Sequence, residues 1–269
     1  MRLFISNLKK YKGYLRYAPV SILKTEVANT YLNWLWWFIE PIMFMFIYWF
    51  IASFIFNQRV QYFPLFVFIG LNTWSYFDRC VKRGVVMMRK YKGIVTKTYV
   101  PKYIFVIVQM VLEAIKIAIS YLVLIAMMII YKVPVTWRIL ECIPLIAVLM
   151  IVSFAGCSIM LHFGVFISDL EKTVSVVLRL VFYMTGIFYD ISANKKLAQN
   201  HPFAQTLLMK VNPIACIMSG LRNCILYGTD PKKTVDWLWI GIWAVAGLLL
   251  SALGVHLIHK YEAGYAKVS

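Results

Sequence analysis

The chain has 269 residues, of which 62% are hydrophobic and only 14% are charged, and its mean hydropathy is +0.74. Because the apolar residues form long uninterrupted blocks, this composition excludes an ordinary water-soluble domain and indicates a polytopic membrane protein. The net charge of +17 comes from basic residues concentrated between those blocks, which favours contact with anionic lipid over a nucleic-acid-binding surface.

The N-terminal segment, residues 1–31, is predicted to stay in the cytoplasm. It is basic and contains no continuous apolar stretch, so it does not have the pattern of a cleavable signal peptide. Residues 3–16 place apolar side chains at helical spacing and basic ones on the other faces. The apolar set is Phe4, Leu8, Tyr11 and Leu15, and the basic set is Lys9, Lys12 and Arg16. This pattern predicts an amphipathic helix that lies in the cytoplasmic interface of the membrane.

Six apolar segments follow, and each is predicted to cross the membrane as a helix. They are residues 32–56, 63–85, 103–131, 143–167, 173–189 and 237–259. The second reaches spanning length only if its helix continues past the charged residues at 78–83, whose side chains would snorkel toward the cytoplasm. The predicted fold class is therefore all-α integral membrane, with six transmembrane helices after an N-terminal interfacial amphipathic helix.

Basic residues set the predicted orientation. Lys and Arg number six in residues 1–31 and eight in 78–102, against one in 57–62 and two in 132–142. Both termini are therefore predicted to be cytoplasmic, with residues 260–269 as a short tail, in a multi-pass protein of the cytoplasmic membrane. Residues 190–236 are too polar to span, yet they hold apolar stretches, which predicts short re-entrant helices that enter from outside. The whole chain, 1–269, is predicted to form a single transmembrane domain.

No pattern predicts catalysis by this chain. The sequence has no phosphate-binding loop, its four histidines and five aspartates are dispersed, and its five cysteines include no Cys-x-x-Cys pair. We therefore predict no catalytic residue, no metal site and no cofactor in this chain.

Besides the charged residues at 78–83, two predicted spans hold an acidic residue within their apolar stretch, and such residues are costly in lipid and therefore candidates for function. Glu113 and Lys116 stand at i, i+3 and can face one another. The alternative for them is simple mutual neutralisation or contact with a partner subunit. Glu40 precedes Pro41 in the first span, which favours a kinked helix facing a polar cavity, and the alternative is an ion pair with another helix.

The first predicted span is unusually aromatic, with twelve aromatic residues between Tyr31 and Phe56. Tyr31, Trp34 and Phe38 share one helical face, and Trp37 lies beside them. Aromatic faces bind the C–H faces of sugars, so this stripe predicts a track for a long carbohydrate. The alternative is a lipid-facing aromatic belt.

A short basic segment joins the second and third predicted spans. It contains Arg89, Lys90, Tyr91, Lys92 and Lys97. A membrane chain without its own ATPase could dock such a cytoplasmic element into a separate motor protein. The alternative is a loop whose charge serves membrane orientation alone.

Several short motifs, taken in order, resemble the ABC-2 type permeases that export polysaccharides. They are Tyr31-Leu32-Asn33, Trp36-Trp37, Glu40-Pro41, Pro101, Asp169 with Arg179, Thr185-Gly186-Ile187-Phe188-Tyr189, and Asn212-Pro213 followed by Arg222 and Gly228. The family pattern usually has Gly at 33, Asn at 40 and Pro at 186, so the local helix geometry at these positions is expected to differ. The run Phe46-Ile47-Tyr48-Trp49-Phe50 resembles the wall teichoic acid branch of the family more than the O-antigen branch.

The resemblance implies an assembly and roles for individual residues. It implies a homodimer bound to two copies of a separate ABC ATPase subunit, which would hold ATP and Mg. The channel would be lined by spans one and five, including Tyr31, Trp34, Trp37, Phe38, Glu40, Tyr183, Phe188 and Tyr189. The segment 89–100 would be a coupling element. Lys9, Lys12 and Arg16 would belong to a cytoplasmic gate, and Asn212, Pro213 and Arg222 to an external gate.

The function implied is export of an undecaprenyl-diphosphate-linked cell-envelope polymer, with wall teichoic acid as the first expectation. The alternatives are an exporter of O-antigen or another polysaccharide, a drug exporter, or a membrane enzyme that works without a motor.

Overall fold

The computed structural model of the chain describes residues 2–28, 35–51, 60–191 and 202–268, and every regular element in these ranges is a helix. The helices are α1 Arg2–Lys10, α2 Lys12–Val27, α3 Trp36–Phe50, α4 Phe63–Lys90, α5 Lys92–Val95, α6 Tyr103–Ile130, α7 Cys142–Phe166, α8 Leu170–Met184, α9 Pro202–Thr206, α10 Pro213–Ile225 and α11 Trp237–Val268. A 3₁₀ turn, Trp137–Glu141, leads into α7, and a π-helical turn, Leu207–Val211, follows α9.

Three helices of the described part are long and apolar enough to cross a membrane. They are Tyr103–Ile130, Trp137–Phe166 and Trp237–Glu262, and a shorter apolar helix covers Trp36–Ile47. These helices confirm the all-helical membrane class. The count of six spans stays a prediction, because α4 is interrupted by charges and α3 and α8 are each 15 residues long.

The charged residues at 78–83 do not end α4, which confirms the predicted continuation. The helix runs for 28 residues, about 42 Å, and ends at Lys90 rather than at 85. Glycines let it approach α7 closely, because a Cβ at Gly84 would lie 2.6 Å from the carbonyl oxygen of Cys157. Gly164 of α7 meets the carbonyl of Val85 in the same way. Small residues at such crossings are typical of helix packing in membranes.

The N-terminal segment forms two helices, which corrects the single helix predicted over 3–16. The chain turns at Tyr11, and Gly13 weakens the first turn of α2. Three contacts fix the course of these helices along α6. Asn7 donates a hydrogen bond to the Tyr103 hydroxyl, Tyr14 meets the Phe105 ring edge-on at 6.3 Å, and Glu26 pairs with Lys116. Helices α1 and α2 therefore pack along the first half of α6.

The fifth predicted span ends earlier than expected. Helix α8 covers Leu170–Met184, whereas the prediction placed helix through residue 189. Gly186 has a φ of +73°, which ends the helix with a conformation that a residue with a side chain rarely adopts. Phe188 and Tyr189 consequently lie in the turn after α8.

Candidate functional site

The beginning of α10 is tied to the end of α8 by Asn212. Its side-chain oxygen accepts hydrogen bonds from the backbone N–H groups of Ile214 and Ala215, at 3.1 and 3.3 Å, so that Asn212 caps the helix. Pro213 occupies the first turn, where its missing N–H costs nothing. The Asn212 side-chain nitrogen donates to the Thr185 hydroxyl at 2.9 Å. The Asn-Pro motif is therefore both a helix start and a fastening point for α8.

Arg222, two and a half turns further along α10, fastens the same turn a second time. Its Nη1 and Nη2 atoms donate to the carbonyls of Gly186 and Ile187 at 3.0 and 2.8 Å, and its Nε donates to the carbonyl of Phe66 at 3.0 Å. The guanidinium lies 3.4 Å from the centroid of the Phe66 ring. Gly70 leaves the room that it needs, since a Cβ there would collide with Arg222. We call this arrangement, formed by Asn212, Arg222 and the turn 185–189, the outer clamp.

The loops around the outer clamp are held by further polar contacts. Tyr227 donates its hydroxyl to the carbonyl of Gln61 at 3.0 Å, and burial raises the pKa of Tyr227 to about 12. Arg138 donates to the carbonyl of Lys233 at 2.7 Å. Gly228 packs directly against Thr136. Three segments that are far apart in sequence thus meet at this end of the molecule.

The clamped turn closes an aromatic cluster between α4 and α8. The Phe182 ring contacts the rings of Tyr183, Phe188 and Trp74 at centroid distances of 5.2, 5.4 and 5.7 Å. Trp74 continues the series to Phe77 at 6.0 Å. The hydroxyl of Tyr189 donates to the Tyr183 carbonyl at 3.0 Å. The three aromatic residues predicted for the channel from this region are therefore brought together, around a ring that the sequence reasoning missed.

The aromatic stripe of the first predicted span is described only in part. Tyr31 and Trp34 lie outside the described residues. Trp37 and Phe38 are half-buried on α3. Glu40 is exposed, and among the described residues it makes no ion pair, which does not support its pairing with another helix.

Further along α4 than the outer clamp, Arg79 meets Glu113 of α6, which is the centre of a charged network. It is 1% exposed and accepts from Arg79 of α4 at 2.7 Å and from Gln109 at 2.9 Å. Lys116 lies 3.8 Å from Glu113, as the i, i+3 spacing predicted, but it is closer to Glu26 of α2 at 2.6 Å. The predicted mutual pair therefore exists within a larger network that joins α2, α6 and α4, which we call the inner network.

The predicted coupling segment contacts the N-terminal helices directly. Tyr91 is buried and stacks on Phe105 with centroids 4.6 Å apart. Tyr11 donates to the carbonyl of Tyr99 at 3.1 Å, and Tyr99 donates its own hydroxyl to Glu262 at 2.9 Å, which raises the pKa of Tyr99.

The basic residues of the coupling segment remain accessible. Lys90, Lys92 and Lys97 are exposed, and Arg89 pairs with Glu171 at 2.9 Å. The predicted gate residues Lys9, Lys12 and Arg16 are exposed as well, which fits the amphipathic pattern.

The sequence reasoning missed the residues that connect these elements. Arg79 and Glu26 complete the inner network, and Trp74 and Phe182 complete the aromatic cluster. Of these four residues, only Arg79 could have been recognised from the sequence, because a basic residue inside a predicted span is expected to have an acidic partner. Among the described residues, no group of three histidine, cysteine or acidic side chains has the arrangement of a metal site.

No family model matches the chain. Over 267 residues it is 24% identical to the O-antigen export system permease protein RfbA of Klebsiella pneumoniae, which covers 97% of this chain and 98% of that protein. The protein of the same name from Myxococcus xanthus is 23% identical over 218 residues, 81% of this chain and 82% of that protein. These similarities support the predicted relationship to polysaccharide export permeases. They give no support to the wall teichoic acid branch.

Proposed function

We propose that this chain is the membrane subunit of an ABC-type exporter that moves a lipid-linked polysaccharide of the O-antigen class out through the cytoplasmic membrane. The proposal rests on the similarity of this chain to O-antigen export permeases along nearly its full length. The outer clamp adds a structural observation to that similarity. Two motifs that the resemblance had picked out separately, at 185–189 and 212–222, are hydrogen-bonded to one another.

In this proposal the outer clamp is the external gate. A gate has to hold a defined closed position and still be able to move as a unit. Among the described residues, Asn212 and Arg222 join α10 to the turn after α8 and to the first turn of α4, so a displacement of α10 would carry the turn 185–189 with it. The aromatic cluster beneath this turn would offer ring faces to the sugar units as they pass.

The cytoplasmic end would receive work from a separate ATPase subunit, bound as two copies to a homodimer of this chain. Segment 91–99 is exposed at Ile94 and Tyr99, and its basic side chains point away from the core. Since Tyr91 packs on Phe105 and Tyr11 bonds Tyr99, a push on this segment would reach both α6 and the N-terminal helices. These helices would form the cytoplasmic gate.

Transport in reconstituted vesicles tests the proposal. The chain is purified together with its ATPase and inserted so that the cytoplasmic side faces outward, and a lipid-linked polysaccharide is added outside. ATP is expected to make the glycan resistant to an added glycosidase, and a complex with a hydrolysis-deficient ATPase is expected to leave it sensitive. A parallel series with lipid-linked teichoic acid decides between the two polymers. If no lipid-linked glycan gains protection with ATP, the proposed function is wrong.

A further inference from the structure

Arg179 is an exposed cation on an otherwise apolar helix face. Its neighbours on the exposed side of α8 are large apolar residues whose exposed fractions run from 41% to 68%, namely Val176, Val177, Leu180, Tyr183 and Met184. Among the described residues, no carboxylate lies within ion-pair distance of Arg179. A charged side chain on such a face is costly unless it meets an anion, a polar cavity or water.

The position of Arg179 along α8 follows from contacts at the two ends of the helix. Glu171 pairs with Arg89 near the cytoplasmic end, and Thr185 is bound by Asn212 at the outer clamp. Arg179 is eight residues from Glu171 and six from Thr185, about 12 Å and about 9 Å along the axis. Because the Cα–Cβ bond of a helical residue tilts toward the N-terminus, the guanidinium leans toward the cytoplasmic end, away from the outer surface.

A second cation shares the same stripe. Lys172, Ser175 and Arg179 stand at i, i+3 and i+7, so they lie on one side of α8, and Lys172 is exposed like Arg179. Of the two nearest acids, Glu171 is already paired with Arg89, and Asp169, three residues before Lys172, forms no ion pair with either cation. Tyr183, one turn beyond Arg179, belongs to the aromatic cluster. The stripe therefore runs from two cations to aromatic rings in the direction of export.

We propose that Arg179, assisted by Lys172, binds the diphosphate of the lipid-linked substrate at the cytoplasmic side of the aromatic cluster. The proposal rests on the proposed function and names the chemical group that this part of the path recognises. A planar guanidinium can bind two phosphate oxygens at once, which suits a diphosphate better than a single carboxylate. Among the described residues neither cation forms an ion pair, and two cations on one stripe match a polyvalent anion better than they match one acidic residue.

Binding to the full-length chain in phosphatidylcholine nanodiscs tests the site without a motor or a glycan. The probes are fluorescent undecaprenyl diphosphate, the corresponding monophosphate, and undecaprenol itself. Arg179→Gln is expected to weaken diphosphate binding about ten-fold or more, and to leave undecaprenol binding unchanged. Arg179→Lys keeps the charge and is expected to retain part of the affinity. Lys232→Gln removes a charge from an outer loop and is the matched control.

Three results would overturn the inference. One is equal diphosphate affinity in wild type and Arg179→Gln. Another is displacement of the diphosphate by phosphatidylglycerol added to the nanodiscs, which would mean that Arg179 binds lipid headgroups. The third is dissociation of a dimer in both Arg179→Gln and Glu40→Gln, which would identify an ion pair between two copies of the chain.

The proposal can still be tested if Arg179→Gln fails to fold. If Arg179→Gln cannot be purified, Lys172→Gln decides, with an expected loss of about two- to five-fold in diphosphate affinity. The outcome is also separable from the proposed function. If ATP gives the glycan no protection while the chain still binds the diphosphate more tightly than undecaprenol, only the proposed transport function is wrong.

Discussion

Replacing Arg222 by Ala should open the outer clamp at a cost that the hydrogen bonds allow us to estimate. Phe66 lies in the first turn of α4, and its carbonyl can keep its own helical hydrogen bond. Gly186 and Ile187 lie outside the helices, and among the described residues Arg222 is the donor to both of their carbonyls. Each buried carbonyl left without a donor costs about 1–3 kcal/mol, so we expect a loss of about 2–6 kcal/mol in unfolding free energy.

The effect should be local before it is global. Amides of residues 186–191 are expected to exchange with deuterium faster in Arg222→Ala than in wild type, and the thermal midpoint in detergent should fall. Arg222→Lys should recover only part of the lost stability, because an ammonium group cannot reproduce the three hydrogen bonds that the planar guanidinium makes. The control is Asn223→Ala on the next position, where one exposed hydrogen bond to Thr234 is worth about 0.5–1.5 kcal/mol. Unchanged exchange at 186–191 in Arg222→Ala would refute the reasoning.

Three further predictions concern the inner network, the clamp and the coupling segment. Glu113→Gln is expected to destabilise the chain by about 1–3 kcal/mol, because a buried carboxylate that is 1% exposed is lost to Arg79. Glu26→Gln should cost less than about 1 kcal/mol, because the Glu26 carboxylate is 29% exposed, and equal thermal shifts in the two variants would contradict this ranking. Gly70→Ala should displace the Arg222 side chain and reproduce the faster exchange at 186–191, and wild-type exchange there would show that the space is not needed. Gly93→Trp should leave the thermal midpoint unchanged, because no heavy atom lies within 4 Å of a Cβ there, yet abolish co-purification of the ATPase; Gly241→Trp, equally uncrowded on α11, is the control and should keep the partner.

The sequence predicted the parts of this protein that depend on local pattern. Long apolar blocks predicted helices, and the extension of α4 past its charged residues was recognised because a shorter helix could not span the membrane. Local rules failed where the partner is remote. The i, i+3 spacing of Glu113 and Lys116 suggested mutual pairing, but Arg79, 34 positions away in sequence, is the nearer partner of Glu113.

In the candidate site, too, the sequence motifs could be recognised but the contacts between them could not. The motifs at 185–189 and 212–222 could be picked out by resemblance, but nothing in either motif says that Asn212 would bind Thr185 or that Arg222 would bind Gly186. The early end of α8 was missed because glycine is tolerated inside helices, and only its φ of +73° shows that this one ends the helix. Contacts between distant segments are fixed by packing, which one sequence does not display.

The two ends of α8 are held with unequal strength, and we expect this inequality to decide which end moves first. At the N-terminal end of α8, which is predicted to face the cytoplasm, Arg89 and Glu171 form a pair whose side chains are 51% and 54% exposed, so it contributes about 0–1 kcal/mol. At the outer end, the buried Arg222 guanidinium holds the following turn with bonds worth several times as much. A force that the coupling segment applies to Arg89 would therefore separate the N-terminal end of α8 from α4 first. The helix would then rotate about the outer clamp. Hydrogen exchange on the wild-type chain should accordingly be faster near Leu170 than at 186–191, and the reverse order would place the pivot at the N-terminal end of α8.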